Sequence, residues 1–171
     1  MKEEKTMASA VVVFFLINDK VLLGEKGRGI GKGFLNSYGG EIDPGETPPF
    51  AAVREIGEES GGATIIEERL EKIAICDFQT IKSDGSRFVC TVHMYKTREW
   101  MGGPKSTPDI LNPDWYFIRS LPIERLMLAD RIWLPIALSG EKMYVKATYG
   151  PHQQSLIGDV IMEKVKSFPE E

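Results

Sequence analysis

Cysteine, histidine, surplus positive charge and long apolar runs are all scarce in this chain of 171 residues. Its two cysteines, Cys76 and Cys90, lie in apolar, strand-like segments and lack the spacing of metal ligands. We therefore expect two buried thiols in a reducing cytosol. The two histidines, His93 and His152, stand apart from any cysteine or aspartate cluster, so neither is assigned a role.

The charge balance and the apolar runs argue against two classes of partner. A formal net charge of −4 disfavours a nucleic-acid polymer, because proteins that bind one usually carry an excess of Lys and Arg. Small anionic substrates stay open if a cation mediates. The longest apolar run, residues 8–17, is too short to span a bilayer, and the charges of residues 1–6 are unlike those of a signal peptide. We expect a cytoplasmic protein without membrane contact.

The length and patterning of the chain predict one α+β domain over residues 1–171, with a core at about 8–150 and a C-terminal extension at 151–171. Glycine-rich loops are expected at residues 24–33 and 101–112, and strands at 11–17, 21–23, 70–80, 87–97, 115–118 and 142–149. Helical apolar spacing covers 123–138, where Pro135 should bend or restart the helix. Strands and helices alternate irregularly, which favours a mixed sheet. Monomer and homodimer are not distinguished.

A second helix carries the chemically informative residues. Thr47 and Pro48 are typical of a helix start, and residues 60–62, Ser-Gly-Gly, of a helix end. Between them, Glu55, Glu58 and Glu59 stand at i, i+3 and i+4, so their carboxylates share one face.

Three neighbouring carboxylates repel one another and need compensation. Arg54 is one candidate, but a single cation cannot neutralise three acids. Hard oxygen ligands suit Mg²⁺, with Mn²⁺ as a substitute, so the array is interpreted as a metal platform. A solvated acidic helix face is the alternative, and the three glutamates alone do not decide between them.

The residues around the helix favour the metal platform. Gly40 is followed after five residues by Glu46 and after seven more by Arg54-Glu55, then by Glu58-Glu59 and Gly61. This string resembles the signature box of the Nudix (MutT-like) hydrolases, with every fixed charged and glycine position filled. The last position departs, because Gly62 stands where the family has a bulky aliphatic residue.

The resemblance implies the Nudix fold, in which a mixed β-sheet is sandwiched between α-helices. It also implies that Glu55, Glu58, Glu59 and the Gly40 carbonyl hold the metal, that Arg54 orients Glu55, and that Glu46 supports the loop. Glu55 is the favoured general base and Glu58 the second candidate. A further acid from a later loop often assists in the family; its position falls at Ile110, beside Asp109.

Flanking residues over about 11–149 resemble the animal-type 8-oxo-dGTP diphosphatases, also called oxidised purine nucleoside triphosphatases. The resemblance places Asn36, Met127 and Asp130 at the base pocket, and Phe78 is expected on another wall of it. Lys26, Arg28 and Lys32 on the glycine-rich loop are expected to approach the triphosphate, with solvated loop cations as the alternative. The subfamily has two adjacent aspartates and a stacking tryptophan in its base pocket, whereas this chain has Ala129-Asp130 and Met127. Alternatively, Asp130 is a charge at the N-terminus of a helix, and Asn36 is a turn residue.

The sequence thus predicts a Mg²⁺-dependent nucleoside triphosphate pyrophosphohydrolase that sanitises the nucleotide pool, converting 8-oxo-dGTP to 8-oxo-dGMP and pyrophosphate. An ADP-ribose or dinucleoside polyphosphate pyrophosphatase is the enzymatic alternative, because the box recognises a diphosphate and not a base. A silent nucleotide-binding regulator is a different class, but such proteins typically lose box glutamates.

Overall fold

The computed structural model describes residues 7–169. Within them a nine-stranded mixed sheet runs in the order β3-β2-β1-β6-β5-β8-β9, while β4 pairs with β1 and β7 with β2. The strands are β1 Ser9–Ile17, β2 Lys20–Lys26, β3 Leu35–Asn36, β4 Tyr38–Glu41, β5 Glu71–Ile81, β6 Arg87–Thr97, β7 Ile110–Phe117, β8 Lys142–Tyr149 and β9 Ile161–Val165. The helices are α1 Pro48–Glu59 and α2 Asp130–Leu138.

Strand β1 is buried on both faces because a helix covers each side of the sheet. Val11, Val13 and Phe15 pack with Ala52 and Ile56 of α1 in one core cluster. The alternate residues of β1 belong to a second cluster that also contains Trp133, Leu134 and Ala137 of α2. This layered arrangement confirms the predicted α+β fold.

Two pairs of predicted strands, β1–β2 and β5–β6, form hairpins, and their turns explain their registers. β1 and β2 meet at the pair Ile17↔Lys20, which leaves a two-residue turn whose first residue, Asn18, has φ 53°. β5 and β6 pair antiparallel from Glu71↔Lys96 to Ile81↔Arg87, and the turn that joins them contains Asp84-Gly85. β1 pairs parallel with β6, and β5 with β8, so the sheet is mixed as predicted.

Two expected boundaries were wrong. The strand predicted at residues 115–118 begins at Ile110, inside the expected loop, because that segment pairs with β2 in the register Ile110↔Lys26. Pro113 is tolerated there since β7 has β2 as its only partner strand among residues 7–169.

The helix predicted over 123–138 is also shorter than expected. A 3₁₀ turn covers Ile123–Arg125, and α2 begins at Asp130 with Pro135 inside it. At the boundary, the backbone N–H of Ala129 donates to the Tyr149 hydroxyl at 2.9 Å instead of to a helical carbonyl. A side chain from β8 thus satisfies a donor that a longer helix would have used.

The C-terminal extension is not an appendage to the sheet. Residues Ile161–Val165 form β9, which pairs antiparallel with β8 from Lys142↔Val165 to Lys146↔Ile161. No strand was predicted there, since the exposed Ile161 and Met162 do not alternate with polar residues. Across residues 7–169, no helix is both long and apolar enough to span a membrane.

Candidate active site

Helix α1 begins where its sequence signals predicted. The Thr47 side chain accepts a hydrogen bond from the backbone N–H of Phe50 at 3.4 Å, and Pro48 occupies the first turn. Ala51, Ala52 and Ile56 are buried against the sheet. Glu55 is buried on the same side of the helix, four residues after Ala51 and three after Ala52, so the packing of α1 on the sheet also brings this carboxylate against Gly40 of β4.

Arg54 connects the loop between β4 and α1 to the helix. Its Nε and Nη2 each donate to the Glu46 carboxylate at 2.7 Å, and Nη2 also donates to the Glu41 carbonyl at 3.0 Å. Nη1 donates to Glu55 Oε1 at 2.9 Å and to Glu58 Oε2 at 3.1 Å. A planar guanidinium is suited to this fork of contacts, which fixes the side chain of Glu55.

Glu46 also shapes the loop before the helix. Its Oε1 accepts from the backbone N–H of Asp43 at 2.7 Å while the same carboxylate receives Arg54. The hydrogen bond from Arg54 is the main cause that lowers the pKa of Glu46. The carboxylate therefore remains ionised and holds the loop against the helix.

Glu55, Glu58 and Glu59 form a carboxylate cluster, because each offers an oxygen within 4.8 Å of the others. Glu55 is 7 % exposed, and burial raises its pKa while its hydrogen bond from Arg54 opposes that rise. Glu58 is exposed and Glu59 half-buried. One side of the cluster therefore faces the protein interior and the other faces solvent.

Gly40 brings backbone against this cluster. A Cβ at position 40 would lie 2.4 Å from the Glu55 carboxylate, so a larger residue would displace that carboxylate. A cluster of hard carboxylate oxygens beside close-lying backbone fits a divalent cation that prefers oxygen ligands. Arg54 alone cannot neutralise the three glutamates.

Asp109 reaches the same cluster from the loop before β7. Its carboxylate is paired with Arg28, whose Nε and Nη2 donate at 2.5 and 2.9 Å. A hydrogen bond with Asp109, followed by burial, raises the pKa of Glu59, while Arg28 is the main cause that lowers the pKa of Asp109. Asp109, and not the buried Ile110, is therefore the acid that this loop brings to the helix.

A cleft of about 350 Å³ opens beside the cluster and extends across the sheet. Its lining joins acidic and apolar parts of the chain. At the acidic end lie Gly40, Glu55, Glu59 and Asp109; at the other lie Asn36, Phe78, Met127, Asp130, Tyr149, Thr80 and Gln153.

Asp130 is a buried carboxyl at the second end of the cleft, 6 % exposed. Its Oδ1 accepts from the indole N–H of Trp133 at 3.0 Å, and burial raises its pKa to about 6. It is also the first residue of α2, so the expected helix-terminal position and the cleft position coincide. Because Asp130 is buried, it is not a solvated charge at a helix terminus.

The structure brings most of the predicted site residues together. Lys26, Asn36, Gly40, Phe78, Met127 and Asp130 line one cleft with Glu55 and Glu59. Asn36 Oδ1 accepts from the backbone N–H of Ser37 at 2.8 Å, the contact expected of a turn residue, and Asn36 also lines the cleft. Arg54, Glu46 and Glu58 lie outside the lining of the cleft. Arg54 contacts the cluster there through its hydrogen bonds to Glu55 and Glu58.

Sequence reasoning missed Tyr149, Thr80 and Gln153. Tyr149 and Thr80 are partners in the parallel β5–β8 ladder, and Gln153 Nε2 donates to Thr80 Oγ1 at 3.0 Å. The alternation of residues in β8 predicts that Tyr149 is on a buried face, but it does not predict that β8 pairs with β5, which brings Tyr149 beside Thr80. Both cysteines are buried and free as expected, and Cys90 lines the cleft with its pKa raised by burial to about 11.

Gly62, the one departure from the box, lies against a neighbouring loop. A Cβ at this position would meet the Gly103 carbonyl at 3.0 Å, and Thr64 pairs with Met101 immediately beyond it. The close approach of residues 101–103 thus occupies the space that a bulky aliphatic side chain would need.

A mixed sheet between two helices, with a carboxylate cluster on the first helix, is the architecture of a family recognised by comparison. The NUDIX domain profile matches residues 6–135. The chain belongs to the Nudix family and is a hydrolase of that family.

Relatives and solved structures agree with this assignment. The chain is 33 % identical over 144 residues to the oxidized purine nucleoside triphosphate hydrolase of Danio rerio, covering 84 % of each chain. It is 32 % identical over 131 residues to the protein of that name from Mus musculus, covering 77 % of this chain and 80 % of the relative. In fold it is similar to a MutT protein from Bacillus halodurans, with TM-score 0.74, 22 % identity, and coverage of 92 % of this chain and 98 % of that one.

Proposed function

We propose that this hydrolase is a Mg²⁺-dependent nucleoside triphosphate pyrophosphohydrolase that acts on oxidised purine nucleotides in the cytoplasm. The observation that carries the proposal is the cleft, which joins the carboxylate cluster to a half-apolar wall bearing Asn36 and Asp130. A diphosphate at one end and a purine at the other match these two chemistries. Two relatives at 32–33 % identity carry the name oxidized purine nucleoside triphosphate hydrolase, which supports this substrate class.

Glu55, Glu58 and Glu59, with the Gly40 carbonyl, would hold the cation. When bound, Mg²⁺ supplies charge neutralisation to the diphosphate oxygens and lowers the pKa of water. Arg54 keeps Glu55 in one orientation, and Glu46 anchors Arg54.

Glu55 is assigned as the general base, with Glu58 as the second candidate. Its burial raises its affinity for a proton, as a base requires. Water oxygen forms a bond to phosphorus, the bond to the leaving pyrophosphate oxygen breaks, and the proton from water passes to the carboxylate. The products are a nucleoside monophosphate and pyrophosphate.

Asp130 and Asn36 would read the base edge. Once ionised, Asp130 accepts from two neighbouring N–H groups, as in the N1–H and N2–H₂ of guanine, and the Asn36 amide donates. Phe78 and Met127 provide apolar surface against the ring. We propose a guanine-type preference, because Ala129 replaces the second carboxylate that would share a proton.

Product analysis on a nucleotide panel tests the substrate class. The panel contains 8-oxo-dGTP, dGTP, 2-hydroxy-dATP, ADP-ribose and a diadenosine polyphosphate, each with Mg²⁺ and with Mn²⁺. We expect the highest kcat/KM for 8-oxo-dGTP, with pyrophosphate as a product. Equal values for 2-hydroxy-dATP would remove the guanine preference, and preferential cleavage of ADP-ribose or the dinucleotide would replace the proposed substrate. Absence of turnover on the whole panel would support a binding protein instead.

Glu55→Gln tests the mechanism, since it keeps the size of the side chain and removes its charge. We expect kcat to fall by about 10²- to 10⁴-fold at saturating Mg²⁺. Glu68→Gln is the matched control, because Glu68 is exposed in a 3₁₀ turn remote from the cleft. Turnover of Glu55→Gln within a few-fold of the unmodified enzyme would assign the base elsewhere, with Glu58 next.

A further inference from the structure

The Tyr149 hydroxyl is a buried polar group in the cleft that the proposed function leaves without a role. Tyr149 ends β8 and is 2 % exposed, with its ring edge-on to Phe78 at 6.0 Å between centroids. Its Oη accepts a hydrogen bond from the backbone N–H of Ala129 at 2.9 Å. The hydroxyl therefore sits directly beside the Ala129-Asp130 pair.

The O–H of Tyr149 donates to no group within residues 7–169, although buried donors nearly always have a partner. Burial and the neighbouring Asp130 raise the pKa of Tyr149, so the proton stays on the oxygen at neutral pH. Because one lone pair is already occupied by the Ala129 N–H, the rotation of the hydroxyl is restricted. A fixed donor is left on the wall of the cleft.

Asp130 places an acceptor next to this donor. One of its oxygens accepts from Trp133, and the other has no hydrogen-bond donor within the described part of the chain. Both side chains line the same cleft. The pair therefore presents a hydroxyl donor beside a carboxylate acceptor to whatever ring enters.

We propose that the Tyr149 hydroxyl is a specificity-determining donor to the substrate base, which with Asp130 selects a ring edge carrying an oxygen acceptor beside N–H donors. This inference rests on the proposed function, because it assumes that a purine occupies this end of the cleft. Guanine has that edge, with O6 facing Tyr149 and N1–H facing Asp130. A 6-amino purine turns an N–H₂ toward the hydroxyl and a bare ring nitrogen toward the carboxylate, so both contacts are lost.

Replacement of a second aspartate by Ala129 gives this hydroxyl its importance. Alanine offers no side-chain donor to the base, and its backbone N–H instead holds Tyr149 Oη in place. A carboxyl can donate or accept according to its protonation, whereas a tyrosine hydroxyl restrained by that N–H is left to donate. With Tyr149 in place of a second carboxyl, the cleft therefore favours one arrangement of donors and acceptors on the purine edge, whereas a carboxyl would accept several.

Tyr149→Phe removes the hydroxyl and keeps the ring. The test measures kcat/KM for dGTP and for 2,6-diaminopurine deoxynucleoside triphosphate, which carries an amino group in place of O6. We expect the variant to lose about 10- to 100-fold on dGTP and less than about 3-fold on the 6-amino substrate. Tyr144→Phe is the matched control on the same strand, since Tyr144 packs on Phe168 outside the cleft, and it should change neither value.

The outcomes separate this inference from the proposed function. Equal losses on both substrates would assign Tyr149 a structural role through the Ala129 N–H, leaving the proposed function intact and overturning the inference. If the unmodified enzyme hydrolyses neither triphosphate but cleaves ADP-ribose, the proposed function is wrong and the inference falls with it. Should Tyr149→Phe fail to fold in thermal melts, the unmodified enzyme decides with 6-thio-dGTP, which keeps the N1–H that faces Asp130 and weakens only the acceptor at position 6. A kcat/KM at least about 10-fold below that for dGTP supports the assignment, and equal kcat/KM overturns it.

Discussion

Replacing the buried carboxyl of Asp130 with an amide is expected to stabilise the folded protein and to lower its activity on guanine nucleotides. In the folded chain the Asp130 pKa is raised by burial to about 6, whereas in an unfolded chain it is about 3.9. The native state therefore binds this proton more tightly than the unfolded state does. As a result, stability falls as pH rises between these two values and is level above the higher one.

The size of the effect follows from the two pKa values, because one pKa unit corresponds to about 1.36 kcal/mol. The raised pKa of Asp130 lowers the free energy of unfolding by between about 1 and 2 kcal/mol at pH 5 and by about 3 kcal/mol at pH 7.5. Asp130→Asn carries no charge at either pH, and its side-chain oxygen still accepts from Trp133. The stability of the variant relative to the unmodified protein should therefore increase by between about 1 and 2 kcal/mol from pH 5 to pH 7.5.

Urea unfolding of both proteins at half-unit steps from pH 5 to 7.5, in metal-free buffer, measures this difference. Asp19→Asn is the matched control, since Asp19 is exposed in the β1–β2 turn and an asparagine suits that position equally well. Free energies of unfolding for Asp130→Asn and the unmodified protein that run parallel across this range would refute the reasoning. A variant less stable than the unmodified protein at pH 7.5 would refute it as well.

The same substitution should lower kcat/KM for guanine nucleotides, because the amide offers one acceptor oxygen where the carboxylate offers two. A loss of about 10-fold or more at pH 7.5 is expected, with no change in the Mg²⁺ concentration that gives half-maximal rate. Stability gained and activity lost together would show that Asp130 is kept charged for binding. Gain in stability with unchanged activity would return Asp130 to a helix-terminal role.

Two further predictions use paired variants. Gly40→Ala should displace the Glu55 carboxylate, which lies 2.4 Å from the new Cβ, and weaken Mn²⁺ binding by at least about 10-fold in calorimetry. Gly57→Ala, with open space around its Cβ, should bind Mn²⁺ normally and raise the free energy of unfolding by about 1 kcal/mol. Equal Mn²⁺ affinities of the two variants would contradict the cation site. Lys26→Met should raise KM for triphosphates and reduce the salt dependence of KM. Lys32→Met is the matched control, since Lys32 is exposed on the loop after β2 and outside the cleft lining, and it should leave KM unchanged. Identical KM values for the two variants would remove Lys26 from the phosphate site.

Local signals accounted for the cation-binding end of the site. Thr47 and Pro48 define where α1 begins, and the spacing of Glu55, Glu58 and Glu59 puts three carboxylates on one side of it. These relations span a few turns of one helix, so they depend on helix geometry alone.

Contacts between distant segments could not be predicted in the same way. Residues 126–129 continue a helical apolar pattern but are not helical, because Tyr149, 20 positions beyond Ala129, accepts the Ala129 N–H. Ile110 likewise extends β7 into an expected loop because β2 lies alongside it. In both places a tertiary partner outcompetes the local preference.

The sequence by itself determined the reaction class, since the Gly40–Glu46–Arg54 spacing and the glutamate face of α1 are local and specific. Only the tertiary structure brought Asp109 and Arg28 to Glu59, and Asp130 and Tyr149 to one wall of the cleft. These groups are separated by many residues in the chain, and their approach depends on the pairing of β2 with β7 and of β5 with β8. The end of the cleft proposed to bind the base therefore depends on the folded sheet, whereas the carboxylate cluster depends on one helix.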